Sequence, residues 1–263
     1  MLVLRPGALG DTLLAVPAVR ALRRRFGHVR LAGHAGAARL LQACGEVDQG
    51  MAFDDPSLAW IFAGEPTGEP RGEPTSEPTV AWMSTPVNGA IVQAPSRPSR
   101  RVHCARYLLE TLERLDADQT IDTSPLGVVP LWSDEVLIHP GSGSPAKNWP
   151  GERFAAVIDQ LNASVRLVLG EADSQAARAV DAALGRTLPR LRADLPELAA
   201  RLAGCRAYLG NDSGVSHLAG LCGARTVVLF GPTDPCLWRP LGPTVEVLPF
   251  DTKPADVGRA LAL

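Results

Sequence analysis

The chain has 263 residues, a formal net charge of −2 and 46% hydrophobic residues. This length fits one large domain or two small ones, and the apolar content is ample for packed cores, which excludes a wholly disordered protein. The near-neutral charge argues against a dedicated nucleic-acid-binding protein, so we expect no nucleic-acid partner.

The apolar amino-terminal segment does not fit a signal peptide. Arg5, Asp11 and Pro17 interrupt it, and the arginine cluster at 23–25 follows the apolar residues instead of preceding them. No apolar run reaches the roughly 20 residues that a membrane span needs. We therefore predict a cytoplasmic protein. The five cysteines contain no C-x-x-C pair, so we expect neither a disulfide framework nor a zinc site.

The first sixty residues alternate between short apolar runs and segments with helical periodicity. We predict strands at 2–4, 29–32 and 47–53 and helices at 12–26 and 35–44. Strands that alternate with helices are typical of a parallel sheet covered by helices on both faces.

A proline-rich repeat interrupts this pattern at 64–79. It consists of four tetrads that each contain Glu-Pro, and proline in every unit excludes the interior of a helix or sheet. We predict an extended, solvated loop. Short strands at 80–83 and 90–92 follow. The next segments are a basic loop that could meet an anionic acceptor (Arg97, Arg100, Arg101), an amphipathic helix at 102–115 and a polar linker at 116–133.

A second alternating series fills the rest of the chain. Strands are predicted at 135–139, 165–169, 207–209 and 226–230, and helices at 154–162, 174–184, 195–203 and 215–222. The pattern predicts an α/β protein with two Rossmann-like, doubly wound parallel-sheet domains facing a cleft, at 1–125 and 133–263. Ligands of such sheets bind beyond the carboxyl ends of the strands.

The loop at 139–150 follows an apolar strand and suits an anionic ligand. Its Gly143 lets the backbone approach an anion, Ser142 adds a hydroxyl donor, and Lys147 adds charge in a chain that otherwise relies on arginine. The loop does not match the Walker A pattern. An ordinary surface loop remains the alternative, because glycine and serine are common in turns.

The loop at 210–219 joins a strand to a helix. Asp212 or Ser213 could be a simple N-cap, but a helix that begins with Ser213 and Gly214 also offers unpaired N–H groups and the positive end of its dipole to an anion. His217 lies on the first turn, where it either packs in the core or contacts that ligand.

Two acidic residues each have two possible roles. Asp11, after the first strand and a glycine-bearing turn, is either a first-turn acid of a helix or a general base kept ionised by the helix N-terminus. Asp173 follows the strand at 165–169, where an acid either holds ribose hydroxyls or caps the next helix.

Taken together, these motifs resemble glycosyltransferase family 9, the ADP-heptose:lipopolysaccharide heptosyltransferases. The segments LRPGALGDTLLAVPAV, HPGSGSPAKNWP, LVLGEAD, GNDSGVSHLAG and FGPTDP carry the resemblance, which covers 1–60 and 135–243. It implies a GT-B fold with its active site between two domains and an inverting, metal-independent transfer without a cofactor. The donor would be a nucleotide sugar, ADP-heptose. The acceptor would be a lipid-linked or other sugar at the inner membrane face, reached by peripheral contact.

The resemblance also assigns roles to residues of this chain. Asp11 matches the catalytic base; Ser142 and Lys147 match residues at the donor phosphates; Asp212, Ser213, Gly214 and His217 match the helix terminus at the leaving diphosphate; Asp173 falls near the ribose. The amino-terminal half is shorter than is usual in the family. This shortening suggests a non-catalytic nucleotide-sugar-binding protein as one alternative. A nucleotide-sugar epimerase on the same fold is the other.

Overall fold

The computed structural model describes residues 1–62 and 77–261. The chain divides into two compact units, Met1–Asp122 and Thr123–Leu263. Each unit is built on a parallel sheet, so the predicted α/β class with two such domains is confirmed. Among the described residues, no helix is both long and apolar enough to cross a membrane.

The amino-terminal unit contains a five-stranded sheet in the order β3-β2-β1-β4-β5, with every neighbouring pair parallel. Its strands are β1 (Leu2–Leu4), β2 (Arg30–Gly33), β3 (Gln49–Ala52), β4 (Thr79–Trp82) and β5 (Ala90–Ala94). Its helices are α1 (Leu9–Leu13), α2 (Val16–Phe26), α3 (Ala35–Ala43) and α4 (Cys104–Glu110). The fully buried β1 packs into the apolar core, which explains its continuous hydrophobic sequence.

The carboxy-terminal unit contains a six-stranded parallel sheet in the order β11-β10-β9-β6-β7-β8. Its strands are β6 (Val136–His139), β7 (Val165–Val168), β8 (Arg190–Leu191), β9 (Ala207–Asn211), β10 (Thr226–Phe230) and β11 (Val245–Pro249). Its helices are α5 (Gly151–Ile158), α6 (Ser174–Leu184), α7 (Leu195–Gly204), α8 (Gly214–Leu221), α9 (Pro235–Trp238) and α10 (Pro254–Leu261). Counted within the unit, this is the 3-2-1-4-5-6 order of dinucleotide-binding sheets.

The single helix predicted at 12–26 is wrong. The structure has two helices, α1 and α2, that are separated at Leu14 and Ala15. Pro17 has no N–H to continue the α1 hydrogen-bond ladder, and a proline is tolerated only in the first turn of a helix. Pro17 therefore occupies the second position of α2.

Other boundaries also differ from the predictions. The helix predicted at 102–115 ends at Glu110, and a 3₁₀ turn follows at Glu113–Leu115. Five elements of the structure were not predicted from the sequence: β8, β11, α9, α10 and a 3₁₀ helix at Pro56–Ile61. Of the tetrad repeat, 64–76 lies outside the described residues. Its last residue, Thr79, begins β4 and is not part of a solvated loop.

Residues 123–133, which were predicted as part of a linker, lie along the carboxy-terminal unit. The backbone N–H of Leu126 donates to the Leu221 carbonyl, and that of Leu131 donates to the Ala200 carbonyl. Gly204 fits closely against this segment, because a Cβ there would approach the Leu131 carbonyl oxygen to 2.3 Å. The segment therefore packs as part of the carboxy-terminal unit and is not a free linker.

Candidate functional site

The strand order of the carboxy-terminal sheet reverses between β6 and β9. These two strands are adjacent, with His139 opposite Gly210, and the chain leaves them toward opposite edges of the sheet. Such a switch point opens a crevice at the carboxyl ends of the strands. The two loops that were predicted to bind an anion begin there.

Asn211, at the end of β9, holds the loop at 139–150 in place through hydrogen bonds. Its Nδ2 donates to the Pro140 carbonyl at 2.8 Å, and its Oδ1 accepts from the Trp149 N–H at 3.0 Å. The Ser142 hydroxyl lies 2.7 Å from both Asn148 Oδ1 and the Ser144 carbonyl oxygen, so its hydrogen bonds stay within the loop. A fixed loop presents its backbone and Lys147 without a large ordering cost when a ligand binds.

Lys147 reaches from this loop to the second one. Its Nζ donates to Asp212 Oδ2 at 2.7 Å, and the Thr233 hydroxyl donates to the same oxygen, also at 2.7 Å. The Asp212 side chain is only 7% exposed, whereas that of Lys147 is 30% exposed. Asp212 therefore holds the ammonium group in place, and the accessible partner of the pair is the cation.

Helix α8 begins beside this ion pair. Ser213 is its N-cap, and the Ser213 hydroxyl oxygen accepts from the Ser216 N–H. Gly214 is the first helical residue, and His217 is buried on the first turn. Gly143, in the facing loop, has open space where a Cβ would lie. The predicted residues Ser142, Gly143, Lys147, Asp212, Ser213, Gly214 and His217 thus all belong to elements that begin at this switch point.

Asp173 has a different role from the predicted helix cap. It occupies the N-cap position of α6, but its side chain makes no capping hydrogen bond. Instead, its Oδ2 accepts from the Gly170 N–H at 2.6 Å and lies 2.9 Å from Nε2 of the buried His139. Burial alone would raise the pKa of Asp173, but the hydrogen bonds from His139 and Gly170 outweigh it and lower that pKa below its usual range.

His139 belongs to the site but was not predicted from the sequence. Its Nδ1 lies 3.2 Å from the Ser213 hydroxyl oxygen, so the imidazole joins Asp173 to the start of α8. A polar residue that ends an otherwise apolar buried strand, directly before Pro140-Gly141-Ser142, was the available signal. Gly141 leaves room for this arrangement, because a Cβ there would lie 1.8 Å from Asp173 Oδ1.

Asp11 lies in the first turn of α1 in the amino-terminal unit. Its Oδ2 accepts from the Ala8 N–H at 3.0 Å, and its Oδ1 accepts from Arg5 Nη2 at 3.2 Å. The first-turn role is therefore observed, and the carboxylate contacts a guanidinium. The Asp11 side chain is 20% exposed, so solvent or a ligand can reach it. Gly7 has a φ of 134°, which allows the turn that brings these groups together.

Arg5 is the second residue that the sequence analysis overlooked. It is fully buried, and its Nε has no hydrogen-bond partner. Its Nη2 also lies 3.8 Å from the Cys104 sulfur. Burial raises the pKa of the Cys104 thiol, with the Arg5 charge opposing the shift. A buried cation is costly unless it is paired, so the Arg5–Asp11 contact constrains both side chains.

Among residues 1–62 and 77–261, no group of three or more histidine, cysteine, aspartate or glutamate side chains is arranged to hold a metal ion.

Comparison with known proteins gave consistent matches. A family model described as "Glycosyltransferase family 9 (heptosyltransferase)" matches residues 105–257. Lipopolysaccharide heptosyltransferase 3 of Escherichia coli is 33% identical over 113 residues, or 40% of this chain and 33% of that protein. Lipopolysaccharide heptosyltransferase 1 of Pseudomonas aeruginosa is 36% identical over 128 residues, which are 46% of this chain and 34% of that protein. The matched segments thus span about a third of these relatives.

Solved structures extend the likeness to the whole chain. A family 9 glycosyltransferase from Veillonella parvula has a TM-score of 0.76 at 18% identity, over 99% of this chain and 88% of the other. The E. coli ADP-heptose heptosyltransferase II has a TM-score of 0.74 at 20% identity, over 99% and 96%. The E. coli heptosyltransferase WaaC, solved with ADP, has a TM-score of 0.70 at 15% identity, over 98% and 97%. These likenesses confirm the predicted fold class.

Proposed function

Because the chain belongs to glycosyltransferase family 9, we propose that it is an enzyme that transfers a heptose or related sugar from a nucleotide diphosphate donor to a sugar hydroxyl. The main observation in support is the Lys147–Asp212 ion pair beside the N-terminus of α8, at the switch point of the carboxy-terminal sheet. We take the donor to be ADP-heptose, because the similar structures include an ADP-heptose heptosyltransferase and a heptosyltransferase solved with ADP.

The donor diphosphate is proposed to bind at this switch point. The Lys147 ammonium has three N–H donors, of which Asp212 accepts one, so two can reach phosphate oxygens. The first N–H groups of α8, at Gly214 and Val215, have no intrahelical acceptor and lie at the positive end of the helix dipole. Together they stabilise the negative charge that develops on the leaving group, without requiring a metal ion.

Asp11 is proposed to act as the general base. The acceptor hydroxyl gives its proton to the Asp11 carboxylate while the acceptor oxygen forms a bond to the anomeric carbon. The bond from that carbon to the diphosphate breaks, and ADP leaves with the electron pair. Such a direct displacement inverts the anomeric configuration. The Arg5 guanidinium, 3.2 Å from Asp11, orients the carboxylate for this step.

The acceptor is proposed to be a sugar of the lipopolysaccharide-core type, because the curated relatives carry lipopolysaccharide or lipooligosaccharide in their names. A lipid-linked acceptor places the reaction on the cytoplasmic side of a membrane, with the protein in peripheral contact.

A nucleotide-sugar-binding protein without transfer activity is the second candidate. Each Asp11 oxygen already accepts a hydrogen bond, from Ala8 or from Arg5, and this favours a purely structural carboxylate. The two candidates share the donor site and differ only in the role of Asp11.

The test is ADP release from ADP-heptose in the presence of a lipopolysaccharide-core acceptor, with ADP affinity measured separately by calorimetry. We expect transfer by the wild type and a loss of about 100-fold or more in Asp11→Asn, because removal of a general base costs that much, while ADP affinity is retained. Asp194→Asn is the control, since Asp194 also accepts a backbone N–H at the start of a helix, in its case from the N-cap position.

Three results would contradict the proposal. Wild-type protein that binds ADP but releases none from the donor favours the binding protein. Full turnover by Asp11→Asn removes that residue from the chemistry. Equal losses in Asp11→Asn and Asp194→Asn assign both effects to helix stability.

A further inference from the structure

A chain of buried polar groups lies behind the proposed diphosphate site. Asp173, His139 and Ser213 are connected in that order at 2.9 and 3.2 Å. Ser216 continues the chain, with its hydroxyl oxygen 3.3 Å from that of Ser213 and 3.0 Å from the Tyr208 hydroxyl. All five side chains are buried, so this network is costly unless every group has a partner.

The hydrogen bonds fix the direction of most of these groups. Asp173 Oδ2 already accepts from the Gly170 N–H and faces His139 Nε2, so Nε2 carries a proton and donates it. His139 Nδ1 then either accepts from the Ser213 hydroxyl or, in the doubly protonated ring, donates to it. The Ser216 hydroxyl donates to the Asn211 carbonyl at 2.5 Å, so Ser216 supplies no proton to Ser213. The buried side-chain partners of the Ser213 hydroxyl are therefore His139 Nδ1 and the Ser216 oxygen.

The three residues do not form a hydrolytic triad. In such a triad the carboxylate contacts Nδ1 and the serine contacts Nε2, whereas here both contacts are reversed. The Ser213 oxygen is also engaged as the N-cap of α8. A role in orienting Ser213 fits this geometry, and nucleophilic attack does not.

We propose that His139, held by Asp173, is a positioning residue that keeps the Ser213 hydroxyl at the N-terminus of α8, where the donor diphosphate is proposed to bind. The inference rests on the proposed function, since it presumes a phosphate ligand at this terminus. It assigns Asp173 a supporting role behind the diphosphate instead of contact with a ribose. His139 itself touches no substrate and acts only through Ser213.

Two conservative variants separate the two contacts of the imidazole. Asparagine places a polar atom close to the Nδ1 position and keeps the contact with Ser213. Glutamine places one close to the Nε2 position and keeps the contact with Asp173. If His139 acts through Ser213, His139→Asn binds ADP nearly as well as the wild type, and His139→Gln binds it about tenfold more weakly. A merely structural role in holding Asp173 predicts the opposite order.

A double-mutant cycle shows whether His139 influences ADP affinity through Ser213. In a Ser213→Ala background, exchanging His139 for glutamine should cause no further loss of ADP affinity, because the group being oriented is absent. Additive losses in the two backgrounds, or the reverse order of Asn and Gln, overturn the inference while the proposed function stands. Failure of the wild type to bind ADP overturns both.

A measurement on the wild type avoids dependence on variant folding. The chain has only five histidines, so ¹⁵N signals of the imidazole rings can be resolved and assigned. We expect the Nδ1 signal of His139 to shift when ADP is added and its Nε2 signal to remain that of a protonated nitrogen. The Nδ1 shift should vanish in Ser213→Ala. An Nδ1 signal that is indifferent to bound ADP refutes the inference.

Discussion

Replacing Lys147 with alanine should weaken ADP binding more than any other single change of charge in the carboxy-terminal unit. The ammonium group lies 2.7 Å from Asp212 and the Lys147 side chain is 30% exposed, so the cation is both held in place and accessible. Alanine removes the cation and leaves the buried Asp212 carboxylate at the same site. A diphosphate would then approach an uncompensated negative charge.

The magnitude follows from the contacts that are lost. A hydrogen bond to a charged group contributes about 1.5–3 kcal/mol, and partial solvent exposure of the ammonium lowers this range. We therefore expect a loss of about 1–3 kcal/mol, which is about 5- to 150-fold in affinity. Folding stability falls as well, because Asp212 keeps only the Thr233 hydroxyl as a partner. With Lys147 partly exposed, this cost is about 1–2 kcal/mol, below the value for a fully buried pair.

Calorimetric titration with ADP measures the affinity, and denaturant unfolding measures the stability separately. The chain provides its own control, because Lys253 is the only other lysine and lies exposed on the surface. Lys253→Ala removes the same charge and should leave ADP affinity unchanged. Lys147→Arg keeps the charge and should recover part of the affinity.

Equal ADP affinity in the wild type and Lys147→Ala would refute the assignment of the diphosphate to this loop. Equal losses in Lys147→Ala and Lys253→Ala would show that only the net charge of the protein matters.

Three further outcomes follow from the packing. Gly141→Ala should destabilise the protein by about 1–3 kcal/mol in denaturant unfolding, because its Cβ meets Asp173, whereas Gly143→Ala, with open space around it, should be tolerated. Because the pKa of Asp173 is lowered in the folded protein, its ionised carboxylate stabilises the fold above the ordinary carboxyl pKa near 4. This stabilisation is lost as the pH falls through the lower pKa of the folded state. When unfolding is measured at several acidic pH values, the free energy of unfolding of Asp173→Asn should therefore decline less than that of the wild type. Burial raises the pKa of the Cys205 thiol to about 12. A disulfide reagent at pH 8 should therefore react rapidly with the exposed Cys236 in the folded protein and with Cys205 only after unfolding. Cys236→Ser should abolish the rapid reaction.

The site loops could be predicted because they depend on local patterns. An apolar run followed by glycine and serine indicates a buried strand that ends in a tight loop, and both loops of the carboxy-terminal unit follow this rule. Lys147 stood out because lysine is rare in this chain. The capping position of Ser213 follows from Ser-Gly before a helical segment, and the structure shows it.

The missed features depend on contacts between distant parts of the chain. His139 is 34 residues from Asp173 and 74 from Ser213, so no local pattern connects them. Arg5 and Cys104 are separated by 99 residues. The two-residue strand β8 is too short to show an alternating pattern, and it exists because β7 pairs with it. The break before Pro17, by contrast, could have been predicted from local chemistry.

The distribution of buried polar residues supports a ligand site independently of any single contact. Among the described residues of the carboxy-terminal unit, and leaving aside the mainly apolar Tyr208, seven of the eight buried polar side chains lie on the carboxyl side of its strands: His139, Asp173, Asn211, Asp212, Ser213, Ser216 and His217. Thr226, at the amino end of β10, is the eighth. Apolar side chains of similar volume would stabilise the fold at least as well, as they do in the rest of this core. Stability alone therefore does not explain why polar groups concentrate at one end of the sheet, and the proposed diphosphate site at that end would account for them.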